Sequence, residues 1–258
     1  MSTRNLQGLF NPRSVALIGA SSQPGRIGTR ALANLAQGGY GGALWPVNPK
    51  YDALLGMRCY AKVAALPAAP ELAILCTPPA TIAGLIAELG ARGTRAAIVM
   101  TAGLGEFKAG GGSVRDAMLA AARPHLLRIL GPGSVGLLSP AAGLNASFTH
   151  IGAGAGKIAF VSQSGAIGAA VLDWASLRGI GFSRFVAMGE GADIDFGDLL
   201  DYLADDAATS AILLCMEHVG CARKFMSACC GSIPPRSCST PSRRWRAPRA
   251  SAASGWRC

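Results

Sequence analysis

Apolar residues along this chain come in short unbroken blocks, separated by longer stretches where they recur every third or fourth position. The blocks VALI at 15–18, ALWPV at 43–47, LAILC at 72–76 and AAIVM at 96–100 are too short for helices. They show no polar alternation, so each predicts a strand buried on both faces. Between them, residues 27–39, 81–93 and 111–125 carry helical spacing, the first ending at Gly38 and Gly39. A further strand is expected over 128–138, RILGPGSVGLL. A glycine-rich stretch from Gly152 to Gly156 reads as a linker or loop, after which the pattern restarts. Residues 157–179 give strand, Gly/Ser loop and helix, followed by a strand at 182–189, a helix at 195–206 and a strand at 210–218. Alternating strands and helices of this kind imply parallel sheets between helix layers, an α/β fold. Two units are expected, residues 1–145 and 146–228, the second incomplete. After Ser227 the periodicity is lost, and residues 229–258, rich in Ser, Pro, Arg and Cys, read as a disordered tail. The helix-like ARKFMSA enters that tail without completing a unit, which favours a reading-frame shift near 221–229 over a natural basic tail.

Charge and cysteine change the picture little. The net charge of +10 suggests nucleic acid, but it is unevenly placed. All 14 acidic residues lie in 1–220 with 16 basic ones, whereas 221–258 holds the other 8 basic residues and no acid. The body is therefore nearly neutral, and no nucleic-acid partner is expected. Six of the eight cysteines crowd the end, with no CxxC pair and no histidine at zinc spacing, so no metal site is expected. No apolar run approaches the ~18 residues of a membrane helix, and the start lacks the layout of a secretory signal. The chain reads as soluble and cytoplasmic.

The candidate chemistry sits at 14–28, SVALIGASSQPGRIG, a buried strand running through a glycine loop into a helix. That arrangement cradles a phosphate on the N–H groups of a helix start. The dinucleotide fingerprint GxGxxG, with an acid about 20 residues on, is not matched. The glycines Gly19, Gly25 and Gly28 give a longer loop, with Ser21 and Ser22 as hydroxyl donors and Ile27 at its end. The second strand ends in Asn48, Pro49 and Lys50 with no carboxylate. A lysine there favours a second phosphate over a free ribose diol. Coenzyme A carries both a diphosphate and a ribose phosphate; NADP is the competitor.

The motifs NPRSVALIGASSQPGRIG, VNPK, CTPPAT, VMTAGLGE, GPGSVGLLSP, KIAFVSQSGAIG and ILLCMEHVG occur in that order across about residues 5–227. Together they resemble the CoA-binding region of NDP-forming acyl-CoA synthetases. That family includes the ADP-forming acetyl-CoA synthetases and, more distantly, the succinyl-CoA synthetase α subunit; bacterial protein lysine acetyltransferases carry a similar region. The resemblance implies a Rossmann-like CoA-binding domain followed by a flavodoxin-like succinyl-CoA-synthetase-type domain. It implies that the loop from Ser21 to Gly28 holds the CoA diphosphate, with Asn48 and Lys50 near the ribose phosphate. Thr77, Pro78 and Pro79 would line the adenine or pantetheine side, and Thr101, Gly103 and Glu106 the mouth toward the thiol. In the second unit it implies a phosphoryl-group site at Ser164 and Gly165, and Glu217 as the carboxylate that orients a phosphohistidine. No such histidine motif is present: His125, His150 and His218 stand in other contexts, and strand alternation would turn His218 away from Glu217. An ATP-grasp domain for ATP/ADP with Mg is also missing, which implies a partner β subunit or a fused domain. The expected activity is formation of acyl-CoA from acid, CoA and ATP, or its reverse, by a chain inactive alone. The alternatives are a CoA-sensing module of an acetyltransferase, an NAD(P) oxidoreductase, and a nucleic-acid binder acting through the arginine-rich tail.

Overall fold

In the computed structural model, which describes residues 3–105 and 112–232, the apolar blocks become strands of two five-stranded sheets. Glu106 and residues 233–258 of the expected tail lie outside the described residues. The chain begins with α1 (Gln7–Phe10) and β1 (Ser14–Ile18), every residue of β1 being buried. Then come α2 (Ile27–Gln37), β2 (Ala43–Val47), a small hairpin of β3 (Ala53–Leu54) and β4 (Met57–Arg58), and β5 (Leu72–Leu75). The first unit continues through α3 (Pro79–Arg92), β6 (Ala96–Val99), α4 (Val114–Ala122) and β7 (Arg128–Leu130). Its sheet has the order β2-β1-β5-β6-β7, with all neighbours parallel. The order reverses direction between β1 and β5. In open α/β sheets the crevice beyond the strand ends at such a reversal is where ligands bind.

The expected strand over 128–138 is two strands in different sheets. β7 stops at Leu130, and the chain turns through Gly131 and Gly133, at φ 112° and 68°, where side chains are disfavoured. It then enters the second sheet as β8 (Gly136–Ser139). There it pairs antiparallel with β9 (Leu144–Ser147) and with β11 (Phe182–Ala187). The rest of this sheet is β10 (Ala155–Ser162), parallel to β11 and to β12 (Ala211–Cys215), in the order β12-β10-β11-β8-β9. β8 and β9, which the sequence reading placed mostly with residues 1–145, thus complete the second sheet. Its helices are α5 (Gly165–Ser176), α6 (Phe196–Ala204) and α7 (Ala222–Ser232). α7 corrects the expectation that periodicity ends at Ser227. It continues to Ser232 because Phe225 packs edge-on against Phe196 at 6.5 Å and Ala228 is fully buried.

The two sheets share one apolar core running from Leu6, Leu9 and Phe10 to Val186, Leu199 and Leu203. Phe10 of α1 stacks on Tyr202 of α6 at 4.7 Å, and the Tyr202 hydroxyl donates to Gln7 at 2.9 Å. α2 lies between the sheets: the Asn34 amide donates to the carbonyls of Ser147 and Thr149, both at 2.9 Å. A charged network closes the other side. Arg128 of β7 reaches Asp193 at 3.0 Å and Asp198 of α6 at 2.8 Å. Lys224 of α7 meets Asp198 at 2.8 Å and Asp195 at 2.9 Å. Burial pushes the Arg128 guanidinium down, but Asp193 and Asp198 outweigh it and hold its pKa above the usual value.

The Asp198 carboxylate is 2% exposed and serves two cations. Asp198→Ala would leave both without it, and removing one partner of a buried ion pair costs about 3–5 kcal/mol. The expected result is a lowered guanidinium midpoint with an unchanged slope. A shift worth less than about 1 kcal/mol would place this network among exposed pairs of little value.

Candidate functional site

The loop between β1 and α2 is built by glycine contacts. Gly19 takes φ 90°, and a Cβ there would stand 2.9 Å from the Cys76 carbonyl oxygen. A Cβ on Gly28 would overlap the Gly19 carbonyl oxygen. The first turn of α2 therefore sits directly on the end of β1. Gly25, at φ 80° with open space around it, bends the loop back toward the helix. Ser21 accepts the Gln23 N–H at 3.0 Å, and the Thr29 hydroxyl donates to the Gln23 carbonyl at 2.6 Å. No side chain caps α2, and its first turn has no acidic residue. Helix-start N–H groups left in this state favour an anion.

The second strand holds this loop in place. The Asn48 amide donates to the Ala20 carbonyl at 2.7 Å, and its oxygen accepts the Lys50 N–H at 2.9 Å. The Asn48 side chain thus staples the loop and sets where Lys50 leaves the strand end. The Tyr51 hydroxyl lies 3.5 Å from that of Ser21, and hydrogen bonds from Ser21 and Ser22 hold its pKa below the usual phenol value. On the neighbouring strand ends, the Thr101 hydroxyl donates to the Thr77 carbonyl at 2.6 Å, and Thr81 donates to the Thr77 hydroxyl at 2.8 Å.

A cleft of about 480 Å³ opens at this point. It brings together Gly19, Ser21, Gly25, Ile27, Gly28, Asn48, Lys50, Thr77 and Pro78 from the sequence reading. Ser22, Pro79, Thr101 and Gly103 do not line it. Gln23 and Arg26, within the expected Ser21–Gly28 loop, also line it, as do Tyr51 and Cys76, which the sequence did not single out. Tyr51 stands next to Lys50 in the stretch VNPKY, the one local signal that pointed to it.

A second cleft, of about 740 Å³, lies between the two units and shares Gly25, Arg26 and Ile27 with the first. Its walls are the first turns of α2 and α5, with Val135 and the segment from Phe148 to His150. Gly165 lines it, and a Cβ there would run into Val135. Ser164 caps α5, its hydroxyl accepting the Ile167 N–H at 3.3 Å. Glu217 and His218 lie past the end of β12, so strand alternation does not govern them. Both backbone N–H groups donate to Gln163, at 2.7 and 3.0 Å, and the Gln163 amide nitrogen is 3.3 Å from the His218 ring. Among the described residues, no group of three or more His, Cys, Asp or Glu is placed to hold a metal ion, and no helix is long and apolar enough to cross a membrane.

The sequence profile of a CoA binding domain matches residues 13–140, and that of a succinyl-CoA ligase like flavodoxin domain matches residues 155–231. The chain is 38% identical over 226 residues to acetate–CoA ligase [ADP-forming] I subunit alpha of Pyrococcus furiosus, covering 86% of this chain and 49% of that one. It is 37% identical over 221 residues to acetate–CoA ligase [ADP-forming] I of Archaeoglobus fulgidus, covering 86% and 32%. A solved dinucleotide forming acetyl-coenzyme A synthetase 1 of Ca. Korarchaeum cryptofilum, in complex with phosphate and ADP, superposes with a TM-score of 0.83 at 35% identity. That match covers 88% of this chain and 49% of the other. The chain therefore spans between a third and a half of the length of these curated relatives.

The glycine contacts make separable predictions. Gly28→Ala pushes a methyl against backbone and is expected to cost about 3 kcal/mol, the upper end for overpacking. Gly25→Ala meets open space and pays only for its left-handed conformation, about 1–2 kcal/mol. Urea unfolding of the two variants checks this; equal costs would mean that the Gly28 contact with Gly19 relaxes freely.

Proposed function

The chain belongs, as a CoA-binding region, to the NDP-forming acyl-CoA synthetase family, and on that premise we propose that it is the CoA-loading portion of an ADP-forming acid–thiol ligase. The observation that carries this reading is the pair of clefts joined at residues 25–27, the first beneath an uncapped helix start and beside Lys50. The chemistry of these groups fits CoA. The CoA diphosphate rests on the α2 N–H groups and the Ser21–Gly28 loop, and Lys50 meets the ribose phosphate. Tyr51 and Thr77 flank the nucleotide, with Ser22, Pro79, Thr101 and Gly103 shaping the loops behind. CoA supplies the thiol that accepts the acyl group.

The reaction in this reading is acid, CoA and ATP to acyl-CoA, ADP and phosphate, or its reverse. Residues 1–145 supply most of the CoA pocket. Residues 146–228 present the start of α5, where Ser164 and Gly165 receive a phosphoryl group, with Glu217 beside it. The phosphohistidine comes from outside these 258 residues, and ATP/ADP with Mg binds an ATP-grasp β subunit or fused domain. The Pyrococcus furiosus relative's description as a subunit alpha, and the Korarchaeum structure's phosphate and ADP, support that division of labour. The setting is the cytoplasm, where CoA, ATP and reduced cysteines coexist. The acyl group is a small one.

Calorimetric titration of the full chain with CoA, and separately with NADP, tests the reading. CoA is expected to bind and NADP not to. Lys50→Glu replaces a charge-assisted contact with repulsion and is expected to weaken CoA at least about tenfold, since hydrogen bonds to charged groups are worth about 1.5–3 kcal/mol. Binding of NADP without CoA would return the chain to the dehydrogenases.

A further inference from the structure

The cleft between the units is lined by a histidine, hydrogen-bonded to a carboxylate outside the lining, that the roles above leave unused. His150 follows β9 and lines that cleft beside Phe148. Its Nε2 lies 2.6 Å from Oδ1 of Asp173, on the third turn of α5. The His150 side chain is 51% exposed and lines the cleft, so whatever enters the cleft can reach it. The segment carrying His150 is fixed from behind. Asn34 donates to the Ser147 and Thr149 carbonyls, and the Thr149 hydroxyl donates to the Ile151 carbonyl at 2.7 Å. One helix thus sets the backbone of His150, and the other sets its ring.

A carboxylate only accepts, so a neutral His150 carries its proton on Nε2, facing Asp173. That leaves Nδ1 as an acceptor, and among the described residues no other group hydrogen-bonds the ring. A base held by an orienting carboxylate is the arrangement that general-base catalysis uses. As a surface ion pair alone it would contribute about 0–1 kcal/mol. Its position gives it more to do. The second cleft opens at residues 25–27 and continues along Ile27, Val135 and Phe148, so it is open to the rest of a CoA whose diphosphate sits there. The charged groups around that space are Asp173 beside the ring and Arg26 and Arg30 in the wall formed by α2.

Resting on the CoA-ligase reading, we propose that His150 is a catalytic base for the CoA thiol and Asp173 its positioning residue. In the step, the thiol proton passes to Nδ1 while the sulfur lone pair forms a bond to the carbonyl carbon of an acyl phosphate. The carbon–oxygen bond to phosphate breaks, and inorganic phosphate leaves with that electron pair. In reverse, phosphate attacks the thioester and His150 returns the proton to sulfur. Neither nucleotide nor shuttle histidine takes part in this half-reaction.

The test supplies the full chain with CoA and acetyl phosphate, without nucleotide, and follows acetyl-CoA, with CoA affinity measured separately by calorimetry. The wild type is expected to form acetyl-CoA. His150→Gln is expected to lower kcat by about 10²-fold or more, the usual scale of general-base catalysis, with CoA affinity unchanged and the acidic limb of the kcat/KM profile abolished. Asp173→Asn is expected to lower kcat less and to displace that limb, which a merely structural contact would not do. If CoA binds but the wild type forms no acetyl-CoA, or both variants keep its rate and pH profile, the role of His150 is overturned and the CoA-binding reading stands. Absence of CoA binding overturns both.

Discussion

At the start of α2, a residue without a side chain lies against the Gly19 carbonyl oxygen, closer than any Cβ would permit. This approach decides where the helix begins and therefore where its unpaired N–H groups point. They emerge at the reversal between β1 and β5, the place where a parallel sheet leaves a crevice. The same helix carries Asn34 on its far turns, and that amide holds the chain just after β9. A single close contact thus locates the first cleft directly and the second through the length of one helix. The two clefts share residues 25–27 because both are measured from the start of α2.

Several charges of the molecule are paired with one another. Arg13 pairs with Glu71 at 2.6 Å, Arg184 with Asp206 at 3.2 Å, and Arg128 and Lys224 share the buried Asp198. What remains near the candidate site is local: Arg26 and Lys50 at the first cleft, Arg30 at the second. That scale suits a small phosphorylated ligand.

Much of this was legible in the sequence, for physical reasons. Buried parallel strands need unbroken apolar runs, so β1, β5 and β6 announced themselves, and residues just past the ends of β1 and β5 line the first cleft. The glycines of the loop were legible because only glycine tolerates those contacts. The stretch 128–138 misled, since an apolar block reports burial and not which sheet buries it; the turn at Gly131 and Gly133 moves the chain between sheets while burial stays continuous. α7 was underestimated because its cohesion comes from Phe196, Asp195 and Asp198 on another element. Cys76 and the His150–Asp173 pair are not legible in the sequence for a like reason. Their roles depend on neighbours brought together by the fold, and no spacing rule links positions 150 and 173.

If the first cleft takes CoA as proposed, a cysteine in its wall is a chemical hazard, and Cys76 lines it. Its sulfur is turned inward, 3.5 Å from the Met100 sulfur, and burial pushes the thiol up to about 12. The thiolate is the nucleophile in acyl transfer and in disulfide exchange. A thiol held that far above neutrality forms almost none. Cys59, also buried, is shifted in the same direction by its burial. Cys76 is therefore silent beside the ligand the reading places in this cleft. His150 of the histidine–carboxylate pair lines the other cleft, where that ligand would end. In the proposed reading, the thiol of Cys76 in the wall is kept protonated and His150 is the proton acceptor for the ligand's thiol.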